Sequence, residues 1–202
     1  MSVKNKNNLV KQDPLYYTAS NQPAIVELGE YDFIRIKGQG KTLGAEFINK
    51  VNALFFFNKV IQQICKRQEI VFSIPKLEIM RWVEGNAFQE QVDEDEWHWI
   101  LLIRKYNFIT AEMIEEARDY CVRKKNFIIA ESIVTEHVKI GKCVSIMHYG
   151  KIGSEIYSIK ELRKYLSFNN LKESGFYHEV HLSYPRKVIP ENMKVILRQP
   201  VE

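Results

Sequence analysis

Residues 23–67 read PAIVELGEYDFIRIKGQGKTLGAEFINKVNALFFFNKVIQQICKR, and their hydrophobic period changes part-way along. From Pro23 to Gly38, β-branched and aromatic side chains (Ile25, Val26, Tyr31, Phe33, Ile34, Ile36) alternate around Gly29 and end at Gly38 and Gly40, the pattern of a strand. From Gly44 to Arg67, Phe47, Val51, Leu54, Ile61 and Cys65 recur at helical spacing, so this segment is expected to lay an apolar stripe on a sheet. Phe55 and Phe56 fall off that stripe by roughly 100° and 180° at 100° per residue. A second layer or a ligand is expected to meet them there.

Further along, Lys76–Val83 and Glu96–Arg104 read as two strands joined by the acidic loop Glu84–Asp95. Thr110–Val122 reads as a helix with Thr110 as its N-cap and Met113, Ile114 and Ala117 as its apolar side. The pattern then begins again. Ile128–Val138 is extended, Cys143–Tyr149 is a strand, and Ser154 caps a helix whose stripe is Ile156, Ile159, Leu162 and Leu166. His178–Tyr184 and Met193–Val201 close the chain as strands, with Pro185 and Pro190 between them. Strand, helix, strand, strand therefore occurs twice. The expected fold is α+β: two tandem β-α-β-β modules, about 24–104 and 128–201, related by a pseudo-twofold axis, joined by a helix at about 110–125 and preceded by a polar extension, 1–22. A seam between two copies is a natural cleft.

A chain of 202 residues with 46% hydrophobic side chains has length enough for one domain with a buried core. Its eleven Phe, ten Tyr and three Trp exceed what packing alone needs, which points to a ring-lined pocket. The net charge of +4 is mild. Its dense basic stretches, Arg118–Lys125 and the first eleven residues, read as a solvated helix face and a frayed terminus, so no direct nucleic-acid partner is expected. Three cysteines without paired spacing suit a reducing cytoplasm, and no stretch approaches the ~18–20 apolar residues of a membrane span.

Gly38-Gln39-Gly40-Lys41-Thr42 sits where a phosphate loop would, but Arg35 stands where that motif needs its first glycine, so the glycines read as a tight strand exit and no cofactor is expected. His178-Glu179-Val180-His181 is one residue short of a zinc-protease pair. On a strand its histidines point in opposite directions, so no metal is expected either. The same alternation puts Tyr177, Glu179 and His181 on one face, and Glu78, Met80 and Trp82 on one face of the earlier strand. Trp97, Trp99, Leu101 and Ile103 form another row. A carboxylate among rings suits a lipophilic cation, and apolar surroundings can raise its pKa toward that of a general acid or base. The plainer readings are a buried salt bridge from Glu179 to Arg81, Arg104, Arg186 or Arg198, and simple core for the rings.

Tyr177 to Lys187 (YHEVHLSYPRK) with Met193 to Val201 (MKVILRQPV), Cys143 to Gly150 with Glu155, Leu77-Glu78 with Trp82, and Trp97-His98-Trp99 leading into Leu102-Ile103-Arg104 together resemble the GyrI-like small-molecule-binding family, in order and over nearly the whole chain. The resemblance implies paired β-α-β-β modules with a ligand cleft at the seam, where the glutamate matching Glu179 contacts bulky, often cationic ligands. The candidate ligand contacts are Glu179, Glu78, Trp82, Trp99, Phe55, Tyr31, His148 and His181, and strand parity with the repeat gathers much of the ring surplus about one seam facing Glu78 and Glu179. Many relatives carry a DNA-binding helix-turn-helix, for which the residues before this module are too few. Stand-alone relatives include a gyrase inhibitor and hydrolases of cyclopropane-bearing compounds. The family's Leu-Tyr is Leu54-Phe55 here, which removes a hydroxyl and favours a binder over an enzyme; in the enzyme reading Glu179 activates water, and Tyr177 or His181 supplies a proton. The expected function is binding of a hydrophobic or cationic small molecule, with hydrolysis of an electrophile and a protein-interaction role as the alternatives.

Overall fold

The elements follow in the order α1 (Leu9–Gln12), β1 (Ala24–Gln39), α2 (Ala45–Arg67), β2 (Leu77–Trp82), β3 (His98–Arg104), α3 (Ala111–Asp119), β4 (Val134–Tyr149), α4 (Ile156–Phe168), β5 (Tyr177–His181) and β6 (Lys194–Pro200). This is the arrangement in a computed structural model that describes residues 7–84, 93–151, 153–183 and 189–202. Most of the expected acidic loop, and Tyr184 to Lys187 with Pro185 and Arg186, lie outside the described residues. The six strands close into an antiparallel barrel in the order β1-β3-β2-β5-β6-β4.

Closure depends on two long strands that each serve two neighbours. Between residues 24 and 35 β1 pairs with β4 (Ile25 opposite Val144), and between residues 33 and 39 it pairs with β3 (Ile36 opposite Leu101). The far end of β4 pairs with β6, where Ile146 lies opposite Leu197. Alternation then sorts the side chains. Phe33, Leu102, Val180 and Ile196 pack inside the barrel, while Ile34, Ile36, Ile79 and Leu101 turn outward beneath α2 and α3. Val144, Tyr177, Val195 and Leu197 pack with Ile159, Leu162 and Leu166 of α4.

The period switch near Gly40 becomes the start of α2, whose Phe47, Leu54, Phe57 and Ile61 are buried against the sheet. Each such side chain contributes about 1.5–3 kcal/mol when fully buried. Trp99 lies beneath the first turns of this helix, 5.1 Å from Phe47 between ring centroids, and its Nε1 donates to the Gly40 carbonyl at 3.0 Å. A Cβ on Gly38 would stand 2.1 Å from that indole, so the strand can pass only as glycine. Thr110 caps α3 by accepting from the Met113 amide, as its position predicts.

Three segments differ from the sequence reading. Ile128–Ser132 is a 3-10 turn rather than strand, and β4 runs unbroken from Val134 through Gly141, whose φ of +68° glycine adopts without a Cβ clash. α4 begins at Ile156 after Glu155, while the Ser154 hydroxyl donates to Lys151 O at 2.7 Å and so does not cap the helix. The residues before β1 do more than their polar composition suggests. After α1 the chain turns inward, and Tyr16 and Tyr17 are buried among the barrel-interior side chains. Among the described residues no helix is long and apolar enough to cross a membrane.

Candidate functional site

Register decides which side chains share a face. In the β2–β5 pair, Ile79 lies opposite Glu179 and Glu78 opposite Val180. Residues directly opposite project to the same side. Glu179 therefore faces the helices and Glu78 faces the barrel interior, so the two glutamates do not look onto one seam as the sequence suggested. Parity within a strand cannot supply this, because it fixes faces along each strand but not between strands.

On the helix side a groove of about 170 Å³ opens between α2 and the sheet. Its wall is Phe47, Ile48, Val51 and Phe55, one helical face, and its floor is Leu77 and Ile79 of β2. Thr42 and Leu43 contribute from the loop before α2, and Arg81, His181 and Ser183 supply the polar side. A space of this order accommodates a single aromatic ring. Glu179 stands behind that polar side, 2% exposed, with Oε2 accepting from Arg81 Nη2 at 3.0 Å and bonded to His181 Nε2 at 2.8 Å. Burial alone pushes its carboxyl up, but the Arg81 guanidinium and the His181 hydrogen bond outweigh it, leaving Glu179 below the usual carboxylate range. This is the reverse of the raised value expected of a carboxylate among rings. Of the four arginines considered as its partner, Arg81 is the one in contact; Arg104 and Arg198 are on the other face, and Arg186 lies outside the described residues.

Tyr177 shares the Glu179 face but packs beneath α4. Burial, then the charge of Glu179, pushes its phenol well above the ordinary range, so it stays protonated. Inside the barrel, Glu78 accepts from the Tyr16 hydroxyl and is bonded to His178 Nε2 at 2.8 Å. Arg104 stacks on Tyr16 and Tyr31, 4.2 Å and 4.1 Å from their ring centres, and pairs with Asp13 at 2.9 Å. Arg198 lies 4.4 Å from the Tyr16 ring and donates to the Tyr16 carbonyl. Trp82 stacks between His98 and Phe176. His148 is held by Ser158 at 2.9 Å and Ser154 at 3.1 Å, beside the start of α4.

The nine candidates are thus dispersed. Glu179, His181 and Phe55 meet at the groove, while Glu78 and Tyr31 lie within the barrel and Trp82 packs against its interior cluster. Trp99 is core beneath α2, and Tyr177 and His148 belong to the α4 side. Sequence reasoning did not reach Tyr16 or the groove role of Arg81. For Arg81 the signal was its place two residues after Ile79 on the strand beside Glu179. Among the described residues no group of three or more His, Cys, Asp or Glu side chains is arranged to hold a metal ion.

No family model and no curated protein matches the chain. Solved structures do. An uncharacterized conserved protein from Listeria innocua superposes with a TM-score of 0.89 at 28% identity, covering 98% of this chain and 100% of that one. A hydrolase from Listeria innocua gives 0.83 at 26% identity with the same coverage. The EcmrR C-terminal domain shares the fold at a TM-score of 0.59 and 9% identity, covering 90% of this chain and 97% of that domain.

Proposed function

We propose that this chain is a GyrI-like binding domain that takes a hydrophobic small molecule into the groove between α2 and the β2–β5 seam. The observation that carries this reading is the groove itself: apolar side chains on wall and floor, with Arg81 and His181 fixed from behind by Glu179. Few convergent polar groups in an apolar recess are what small-molecule sites are made of. Exposed apolar side chains at its lip, Leu43 and Ile48, add area that a ligand would cover. The expected pseudo-twofold relation between modules is supported by the strand order, which reads the same when β1 and β4, β3 and β6, and β2 and β5 are exchanged.

The test is titration with a panel of ring-bearing amphiphiles, followed by Trp fluorescence, since Trp99 lies against Phe47 of the groove wall. Saturable binding is expected, and Val51→Trp, which fills the groove, should abolish it. Binding that survives Val51→Trp unchanged would remove the groove from consideration.

A second reading is hydrolysis of an electrophilic small molecule. It rests on the Glu179–His181 bond, since a carboxylate that orients an imidazole lets the ring take a proton from water. The likeness to a hydrolase at 26% identity favours the same direction. Equal decay of a cyclopropane-bearing electrophile with wild type and with His181→Ala would count against it.

A further inference from the structure

We infer that the groove selects an apolar molecule with an anionic head, such as a carboxylate, rather than a lipophilic cation; this rests on the groove being a ligand site. Among its described lining residues Arg81 is the formally charged side chain, and no carboxylate lines it. Glu179, the group a cation would seek, is almost fully covered and already shared between Arg81 at 3.0 Å and His181 at 2.8 Å. A cation reaching it must first displace the guanidinium, breaking a charge-assisted bond and leaving two positive charges in an apolar recess.

An anion needs no such displacement. Among the described residues, Arg81 has its hydrogen bond to Glu179, and its Nε–H is buried without an acceptor. A guanidinium offers five donors in a planar fork that matches the two oxygens of a carboxylate. Glu179 then has a different task from that implied by family resemblance. It holds Arg81 in place so that the positive group, rather than the negative one, faces the ligand. The apolar walls lower the local dielectric and strengthen the discrimination between head charges.

Three probes with one tail separate the possibilities: 4-phenylbutyrate, 4-phenyl-1-butanol and 4-phenylbutylamine, each titrated calorimetrically at pH 7. The acid is expected to bind about tenfold more tightly than the alcohol, and the amine more weakly than either. Arg81→Gln should lower the acid-to-alcohol affinity ratio about tenfold, while Arg81→Lys keeps part of the preference. The alcohol thereby reports the groove, and the acid-to-alcohol ratio reports the head. Equal binding of acid and alcohol, insensitive to Arg81→Gln, would overturn the anion preference and leave the groove standing. An amine that binds as tightly as the acid overturns it as well, and that comparison is made in the wild-type protein, free of any folding defect in a variant. Failure of all three probes to bind would bring down the groove and its selectivity together.

Discussion

Glu78 and Glu179 lie on adjacent strands, are both buried, and each bonds a histidine at 2.8 Å with an arginine nearby, yet they face opposite sides of one sheet. What differs is the group that completes each cluster. Glu78 receives the Tyr16 hydroxyl from the segment before β1, and that ring in turn stacks with Arg104 and Arg198, so the barrel interior is filled by protein. Glu179 receives Arg81, whose other side is a groove lined by apolar side chains. The same three residue types thus sit in a filled interior where the chain closes over them and beside an open groove where it does not. Residue type alone does not identify a site; the material beyond the cluster does.

That contrast breaks most visibly at Tyr16. Replacing this fully buried ring in Tyr16→Ala should cost about 3–5 kcal/mol in urea unfolding, because it empties the barrel interior and strips a partner from a buried carboxylate. A loss under about 1 kcal/mol would mean that the interior is not packed as described. Smaller effects come from moving a single hydroxyl between the two clusters. Tyr16→Phe keeps the ring but leaves Glu78 short of a donor, and about 1–3 kcal/mol should go. Phe55→Tyr adds a hydroxyl at the half-buried groove wall, where stability should change by no more than about 0.5 kcal/mol while phenyl-ligand affinity shifts. If the two substitutions cost the same, the interior and the groove are not different in kind.

Much of this architecture was legible in the chain. The switch of period near Gly40 announced β1 and α2, and alternation along Tyr177–His181 correctly separated His178 from His181. What was hidden follows from what local patterns cannot encode. Register across the β2–β5 pair is a tertiary fact, so the faces of Glu78 and Glu179 could be assigned within each strand but not relative to one another. The burial of Tyr16 and Tyr17 was masked by polar neighbours such as Lys11 and Gln12, which stay exposed while the rings turn in. The sequence reading separates Ile128–Val138 from Cys143–Tyr149, whereas pairing of Gly141 with Leu28 carries β4 through the gap. Arg81 was named only as one salt-bridge option among four, since its role depends on a helix wall far away in sequence.

The smallest expected effect is at Glu179 and is read through pH. Its folded pKa is depressed, chiefly because Arg81 and the His181 hydrogen bond overcome the cost of burial, so the charged form is favoured more in the folded than in the unfolded chain. The resulting stability is fully present above the unfolded value, about 4.3 for an ordinary glutamate, and is lost as pH falls through the lower folded value. Glu179→Gln cannot titrate. The stability gap between wild type and Glu179→Gln should accordingly be constant at neutral pH and narrow progressively below about pH 4.3, as followed by the urea midpoint at each pH. A gap that widens on acidification would mean that Glu179 is held protonated in the fold. In that case Arg81 would not be neutralised from behind, and the groove would present a different charge from the one its geometry implies.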